Sequence, residues 1–338
     1  MQKIALPRLS PERLAIGVKR LVSVLGRERV AAIRTLEMKI SDAGPPDLRV
    51  EPHILGLAGI EATARGLVTA HRHPDTKTHN WFAPAVIKPA SFRPKLDELV
   101  GIYRETTDAR FTDGLGDPLE ITVFKILLSM REVDRRVTFF GSFNLSGRNL
   151  SDRYSKTEPP IAVNAARLDG PPDFVLHHPD TGEALIIECK NVREWIYPSS
   201  DLMKTLVAKA LAVDMTPVLI ARRLPYITKA ALCAPAGIIA HETYNQLYPD
   251  TPVGRALAAK VRVTRGMGYA DVRATETPLP RTERFFHELL PQILPDAVAK
   301  FQAAKPALQQ WVAGAMTWTQ LRQTLAGGYD EPDAGMNF

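Results

Sequence analysis

The chain has 338 residues, 45% hydrophobic and 24% charged, which gives room for two or three globular domains. Two cysteines, Cys189 and Cys233, argue against a disulfide framework or a cysteine-rich zinc site, and no run of about eighteen apolar residues or signal-peptide core appears, so a soluble, cytoplasmic chain with no membrane partner is expected. Residues 1–100 hold 16 Lys and Arg against 10 Asp and Glu, a net of +6, while the other 238 hold 27 of each. The whole basic excess therefore sits at the N-terminal end, where a module for an anionic partner such as nucleic acid is expected; a mildly basic helical domain carries the same excess.

Residues 9–24 read as an amphipathic helix, with Ser10 and Pro11 as cap and first turn and Leu14, Val18, Leu21 and Leu25 as its apolar stripe. A second helix covers residues 28–40 and is broken by Ser41-Asp42-Ala43-Gly44-Pro45-Pro46. Two short helices, residues 53–57 and 60–70, flank Gly59, and residues 71–82 form a hairpin. Helices followed by a basic, aromatic hairpin give the order of a winged helix-turn-helix. Residues 1–90 then form a basic domain with 60–70 as recognition helix, and Arg65, Arg72, Lys77 and His79 face phosphate or base edges. His71, His73 and His79 have no cysteine or acidic partner at zinc-site spacing, and solvated loop histidines are the simpler reading. Residues 91–116 read as a linker around a short helix at 95–103.

The pattern changes at residue 117. Asp117-Pro118-Leu119-Glu120 opens a helix with Asp117 as N-cap, Pro118 first, and Leu119, Val123, Ile126 and Leu127 buried. Residues 137–140 make a strand and 161–165 an edge strand. Between them lies a polar loop, 141–160, whose Arg148, Arg153, Tyr154 and Lys156 either contact a nucleic-acid backbone or are simply solvated. Residues 174–178 and 184–189 are apolar runs around the turn Pro179-Asp180-Thr181-Gly182, a hairpin. A loop of two or of four residues pairs Asp173 with Glu188 in either case, and alternation puts Glu188 and Lys190 on one face and Ile187 and Cys189 on the other. Two carboxylates and one ammonium thus meet at one edge of a greasy hairpin.

Like charges opposite one another destabilise a sheet, and two carboxylates ~4 Å apart repel by about 4 kcal/mol at an effective dielectric near 20. A hard divalent cation removes the penalty, Mg²⁺ being held by one or two carboxylates with phosphate and water. A lysine two residues on can hold the attacking water and stabilise charge on a phosphate. The spacing asks for phosphodiester chemistry.

Pro172-Asp173, fourteen residues, then Glu188-Cys189-Lys190 resembles the signature of the PD-(D/E)XK nuclease superfamily, which includes restriction endonucleases, Holliday-junction resolvases and Mrr-type enzymes. The resemblance implies an α/β fold, a restriction-endonuclease-like mixed-sheet core in αβββαβ order over residues 117–248, with helical additions at both ends. It implies that Asp173, Glu188 and the backbone carbonyl of Cys189 hold Mg²⁺ (or Mn²⁺) and that Lys190 assists the water. Glu120 resembles the acidic residue that many such enzymes carry on the first core helix to complete the metal site; an ordinary first-turn glutamate favoured by the helix dipole is an equal reading.

After the hairpin, the loop 191–198 places Arg193 beside the presumed metal, and Ser199-Ser200-Asp201 caps a helix that turns Lys204 and Lys209 to the site face. Arg65, Arg72, Lys77, Arg148, Arg193 and Lys204 are the nucleic-acid-binding candidates. Residues 217–221 and 237–240 read as buried strands with a helix at 226–232 between them, and 249–338 as a helical region suited to self-association or to a partner protein. A metal-dependent DNA endonuclease, with RNA as a further substrate class and a homodimer for double-strand cleavage, is the first reading; restriction of foreign DNA follows by analogy. The second is a nucleic-acid-binding protein with a silent nuclease-like domain. The third is a salt-bridge cluster in which Lys190 neutralises one carboxylate and Arg193 the other.

Overall fold

The computed structural model describes residues 11–41, 50–75, 80–106, 115–149, 153–157, 162–163, 166–167, 170–179, 181–264 and 271–326. The chain forms two compact units, residues 1–113 with 252–272 and residues 114–251 with 273–338. The stretch 252–272, expected among the C-terminal helices, therefore belongs with the N-terminal part.

The first unit runs α1 (Pro11–Glu28), β1 (Ala31–Ala32), α2 (Ile33–Ile40), α3 (Pro52–Ala64), β2 (Val68–Arg72), β3 (Asn80–Pro84) and α4 (Pro89–Thr106). Its sheet is antiparallel in the order β1-β3-β2. The α1 stripe of Val18, Leu21 and Leu25 is buried against Leu36, Ile54, Ala58 and Phe82. Three expectations fail here, the first being the helix at 28–40, which starts only at Ile33 after β1. Residues 53–57 and 60–70 are not two helices: α3 passes straight through Gly59 and stops at Gly66, whose φ of +66° ends the helix before β2 begins. The stretch 91–116 is not a linker in its first half, because α4 buries Phe92, Leu96, Leu99, Val100 and Tyr103, the last edge-on to Trp81.

The second unit runs α5 (Asp117–Val133), β4 (Thr138–Phe140), β5 (Ser142–Arg148), β6 (Tyr154–Thr157), β7 (Ala162–Val163), β8 (Ala166–Arg167), β9 (Phe174–His177), β10 (Ala184–Lys190), α6 (Asp201–Val213), β11 (Thr216–Ala221), β12 (Ile239–Glu242) and β13 (Gln246–Tyr248). After α7 (Pro252–Thr264) of the first unit come α8 (Pro280–Arg284), α9 (Leu290–Val312) and α10 (Trp318–Leu325). The fold is mixed α/β. Its five-stranded sheet has the order β12-β11-β10-β9-β4, with β10, β11 and β12 parallel and β9 antiparallel to both its neighbours. Omitting the inserted β5–β8, the elements α5, β4, β9, β10, α6, β11 follow one another as α-β-β-β-α-β.

Alternation divides the core between the two faces of this sheet. Phe174, Leu176, Ile187, Val218 and Ile220 pack with α5, with Phe285 and Phe286 and with α9, while Val175, Ile186 and Leu219 pack under Met203, Leu206 and Val207 of α6. Ser200 caps α6 as expected, its hydroxyl accepting from Met203 N–H. The polar loop expected at 141–160 is instead, where described, the β5–β6 hairpin. The helix expected at 226–232 is present, starting as α-helix at Tyr226 and Ile227 and continuing as a π-helix, Thr228–Cys233. No helix among the described residues is long and apolar enough to cross a membrane.

Candidate metal and phosphodiester centre

The hairpin has the register expected of it. His177 pairs with Ala184 and Phe174 with Ile187, and the turn closes where His178 N–H donates to the Glu183 carbonyl and the His178 carbonyl accepts from Gly182 N–H, both at 2.9 Å. Asp173 follows in line opposite Glu188, its N–H donating to the Ile187 carbonyl at 3.1 Å. The Asp173 carboxylate also accepts from Cys189 N–H at 2.7 Å. N–H and C=O of one strand residue point to the same side, so the Cys189 carbonyl faces the Asp173 flank as well.

Gly141 fixes Asp173 from beneath. Its φ is +97°, and a Cβ there would run into the Asp173 carbonyl and lie 2.9 Å from the Phe174 ring. Gly141→Ala is expected to cost about 1–3 kcal/mol through forced displacement of the 173–174 backbone, measured by urea unfolding. Stability equal to wild type would show that the backbone yields there freely.

Glu120, in the first turn of α5, reaches the same place. Lys156 of β6 donates to Glu120 Oε2 at 2.7 Å and to Asp173 Oδ1 at 3.0 Å, so one ammonium bridges the two carboxylates. Glu188 is held from its other end: Lys190 donates to Oε1 at 2.6 Å, and Lys209 of α6 to Oε2 at 3.3 Å and to the Pro171 carbonyl at 3.1 Å. Asp117 does not cap α5 but is its first residue, gripped by both ends of the Arg153 guanidinium at 2.6 and 2.8 Å. Behind the centre, buried Asn191 ties the end of β10 to β13, donating to the Leu115 and Leu247 carbonyls and accepting from Leu247 N–H.

Burial, and then the neighbouring Asp173 charge, push the Glu120 carboxyl up to about 7 against the opposing pull of Lys156. Burial alone would lower Lys190, but Glu188 and Asp173 outweigh it and hold the ammonium above its ordinary value. Lys190 is thus a charged donor near neutrality, suited to stabilising negative charge and orienting a water rather than to removing a proton. Burial and then Asp173, Glu120 and Glu188 push the Cys189 thiol well up, which leaves the residue only its backbone for ligation.

Glu120 and Asp173 thus share Lys156, while Glu188 is paired with Lys190 and Lys209. Two of the nucleic-acid candidates are engaged elsewhere. Lys204 lies over the Trp311 ring at 6.0 Å. Arg148 is paired with Glu276 at 2.5 Å and stacked 4.5 Å from the Tyr154 centroid. Arg193 is half-buried in the loop after β10, and Arg65 and Arg72 are exposed in the first unit. Lys77 and His79 lie outside the described residues. His73 is buried rather than solvated, its Nδ1 accepting from Asp75 N–H and its Nε2 3.4 Å from Asp97. Lys156 is the member that sequence reasoning missed as a site residue. Its partners are 17 and 36 residues away, and only its place in a polar, basic stretch hinted at a role.

The repulsion expected between Asp173 and Glu188 is offset by these three lysines, so charge balance alone does not demand a metal. Among the described residues no three His, Cys, Asp or Glu side chains are close enough together to hold a metal ion. The oxygen donors nevertheless suit a hard cation, and the ammonium of Lys156 already occupies a cation seat between two carboxylates. No family model, curated protein or solved structure matches the chain.

Proposed function

We propose that the chain is a metal-dependent endonuclease of the PD-(D/E)XK type that hydrolyses DNA phosphodiester bonds, RNA being the further substrate class. The observation that carries this is the joint placement of Asp173, Glu188 and Lys190 at one hairpin edge with Glu120 delivered from the preceding helix. Glu120, Asp173 and the Cys189 carbonyl would hold Mg²⁺ or Mn²⁺, with Glu188 turning in from its lysines. The ion would activate water and neutralise the phosphate. Lys190 keeps its charge beside the scissile phosphate and orients the water; Lys209 is Glu188's partner in the arrangement without metal. One centre cuts one strand, so double-strand cleavage calls for a homodimer, and a cytoplasmic restriction or defence role fits such an enzyme. In the first unit, the order α1-β1-α2-α3-β2-β3 and the exposed Arg65 and Arg72 support a winged-helix DNA-binding role.

The full neutralisation of the carboxylates by Lys156, Lys190 and Lys209 favours a second reading, a DNA-binding protein whose nuclease-like unit is silent. Cleavage of supercoiled and linear DNA with Mg²⁺ or Mn²⁺ decides between them. Wild type is expected to cut, and Asp173→Ala and Lys190→Ala to lose cleavage with far-UV circular dichroism unchanged. DNA binding without cleavage under either metal would leave the silent reading standing.

A further inference from the structure

The parallel strands β10, β11 and β12 all release their carboxyl ends at one edge of the sheet, the edge where ligands of open α/β sheets bind. Register aligns Lys190 with Ala221 and Ala221 with Glu242, so these three share a sheet face across two strand spacings, roughly 10 Å. The chain leaving β11 carries Arg222 and Arg223, and the chain leaving β12 carries Tyr244. Tyr244 has φ +55°, a conformation bulky L-residues avoid, and is pinned there by its N–H donating to the Arg222 carbonyl at 3.0 Å. The residue is 37% exposed. Two guanidiniums lie on that ring, Arg281 at 4.4 Å and Arg223 at 5.2 Å from its centroid.

Glu242, the carboxylate at this edge, is occupied internally. Its oxygens accept from Leu224 N–H at 2.8 Å, Lys229 at 2.7 Å and the Tyr244 hydroxyl at 3.2 Å, while Arg281 Nε donates to its backbone carbonyl. Arginine planes match phosphate oxygens in pairs, and the part of the ring that the guanidiniums leave uncovered offers a base an apolar contact. A backbone held in a disfavoured conformation so as to present such a ring points to a function outside the fold.

We infer that the Arg223–Tyr244–Arg281 stack is a DNA-strand clamp that holds the flank of the scissile strand beyond Lys190, on the β12 side. This deepens the nuclease reading and rests on it for the direction of the strand, though not for binding itself. The test is fluorescence anisotropy of a labelled single-stranded DNA with the full chain in EDTA. Tyr244→Gly removes the ring while giving φ +55° to the residue that accepts it best, so the fold is expected to lose only the hydroxyl bond to Glu242 and the ring contacts, and affinity to fall about tenfold. Arg281→Gln is expected to flatten the dependence of log K on log salt by roughly 0.7, one strand phosphate. Tyr244→Gly binding as tightly as wild type would overturn the clamp, as would wild type showing no DNA affinity. If Tyr244→Gly weakens binding but no DNA is ever cut, the clamp stands and the nuclease reading falls. If Asp173-dependent cleavage is found and Tyr244→Gly binds normally, the clamp alone falls.

Discussion

Glu188→Gln is expected to lower the stability of the second unit by about 3–5 kcal/mol and to abolish metal-dependent cleavage. The carboxylate is 10% exposed and stands between two ammonium groups, Lys190 on Oε1 and Lys209, itself 9% exposed, on Oε2. A glutamine keeps the shape and loses the charge. Its amide nitrogen would meet one lysine donor with another donor, and the two ammoniums would be left without the charge that neutralises them. Lys209→Met is the contrasting variant, because it leaves Glu188 its bond to Lys190 and replaces a buried stem with one of similar volume; about 1–2 kcal/mol is expected. Urea unfolding of the three proteins measures both. Equal, small losses would mean that the lysines are held by their stems and that Glu188 is not the keystone of the cluster.

What could be read from the sequence follows the range of each interaction. The β9–β10 hairpin is local: alternation and the turn at 179–182 sufficed to pair Asp173 with Glu188 and to separate Lys190 from Cys189. Buried strand β11 and the Ser200 cap of α6 were legible for the same reason. Glu120 was legible as a residue but not as a contact, since the first turn of a helix favours a glutamate whatever it faces. Lys156, by contrast, lies on a hairpin whose register shifts between Asn144 and Arg148, so no simple alternation marks its side. Arg148 looked like a phosphate contact because its partner, Glu276, is 128 residues away.

The same limit explains the domain boundaries. Pro252–Thr264 has an amphipathic pattern like those of the helices after it, and nothing local shows that its buried residues belong to the first unit, where Lys260 meets Glu105 at 2.5 Å. Gly59 reads as a helix break because glycine usually marks one; here the helix runs through it, at a place where a Cβ would meet the Phe82 ring at ordinary contact distance, 3.6 Å. Local chemistry wrote the motif, and distant packing decided which cations answer it.

Stability is expected to fall by about 3 kcal/mol as pH rises from about 4.5 to 7, and Glu120 is the cause. Its folded-state carboxyl titrates near 7, raised by burial and then by Asp173 from an ordinary value of 4.5. Between those values the folded state keeps a proton that the unfolded state has lost, so each pH unit costs the fold up to about 1.4 kcal/mol, and the loss is complete above 7. Below 4.5 both states are protonated and the contribution is flat. Glu120→Gln carries no such group and should show no slope in that window when unfolding is followed by urea at several pH values. A slope in the variant as steep as in wild type would rule Glu120 out. Lys156→Met sharpens the test. It removes the cation that opposes the shift, so the pH loss should deepen and extend above 7 in EDTA. It also vacates the seat between Glu120 and Asp173, and Mg²⁺ or Mn²⁺ at about a hundred times its dissociation constant should restore about 2.7 kcal/mol. Metal-induced stabilisation larger in Lys156→Met than in wild type is the result expected if that ammonium and the metal compete for one place. No metal-induced shift in either protein would make Lys156 the permanent counter-ion of a silent centre.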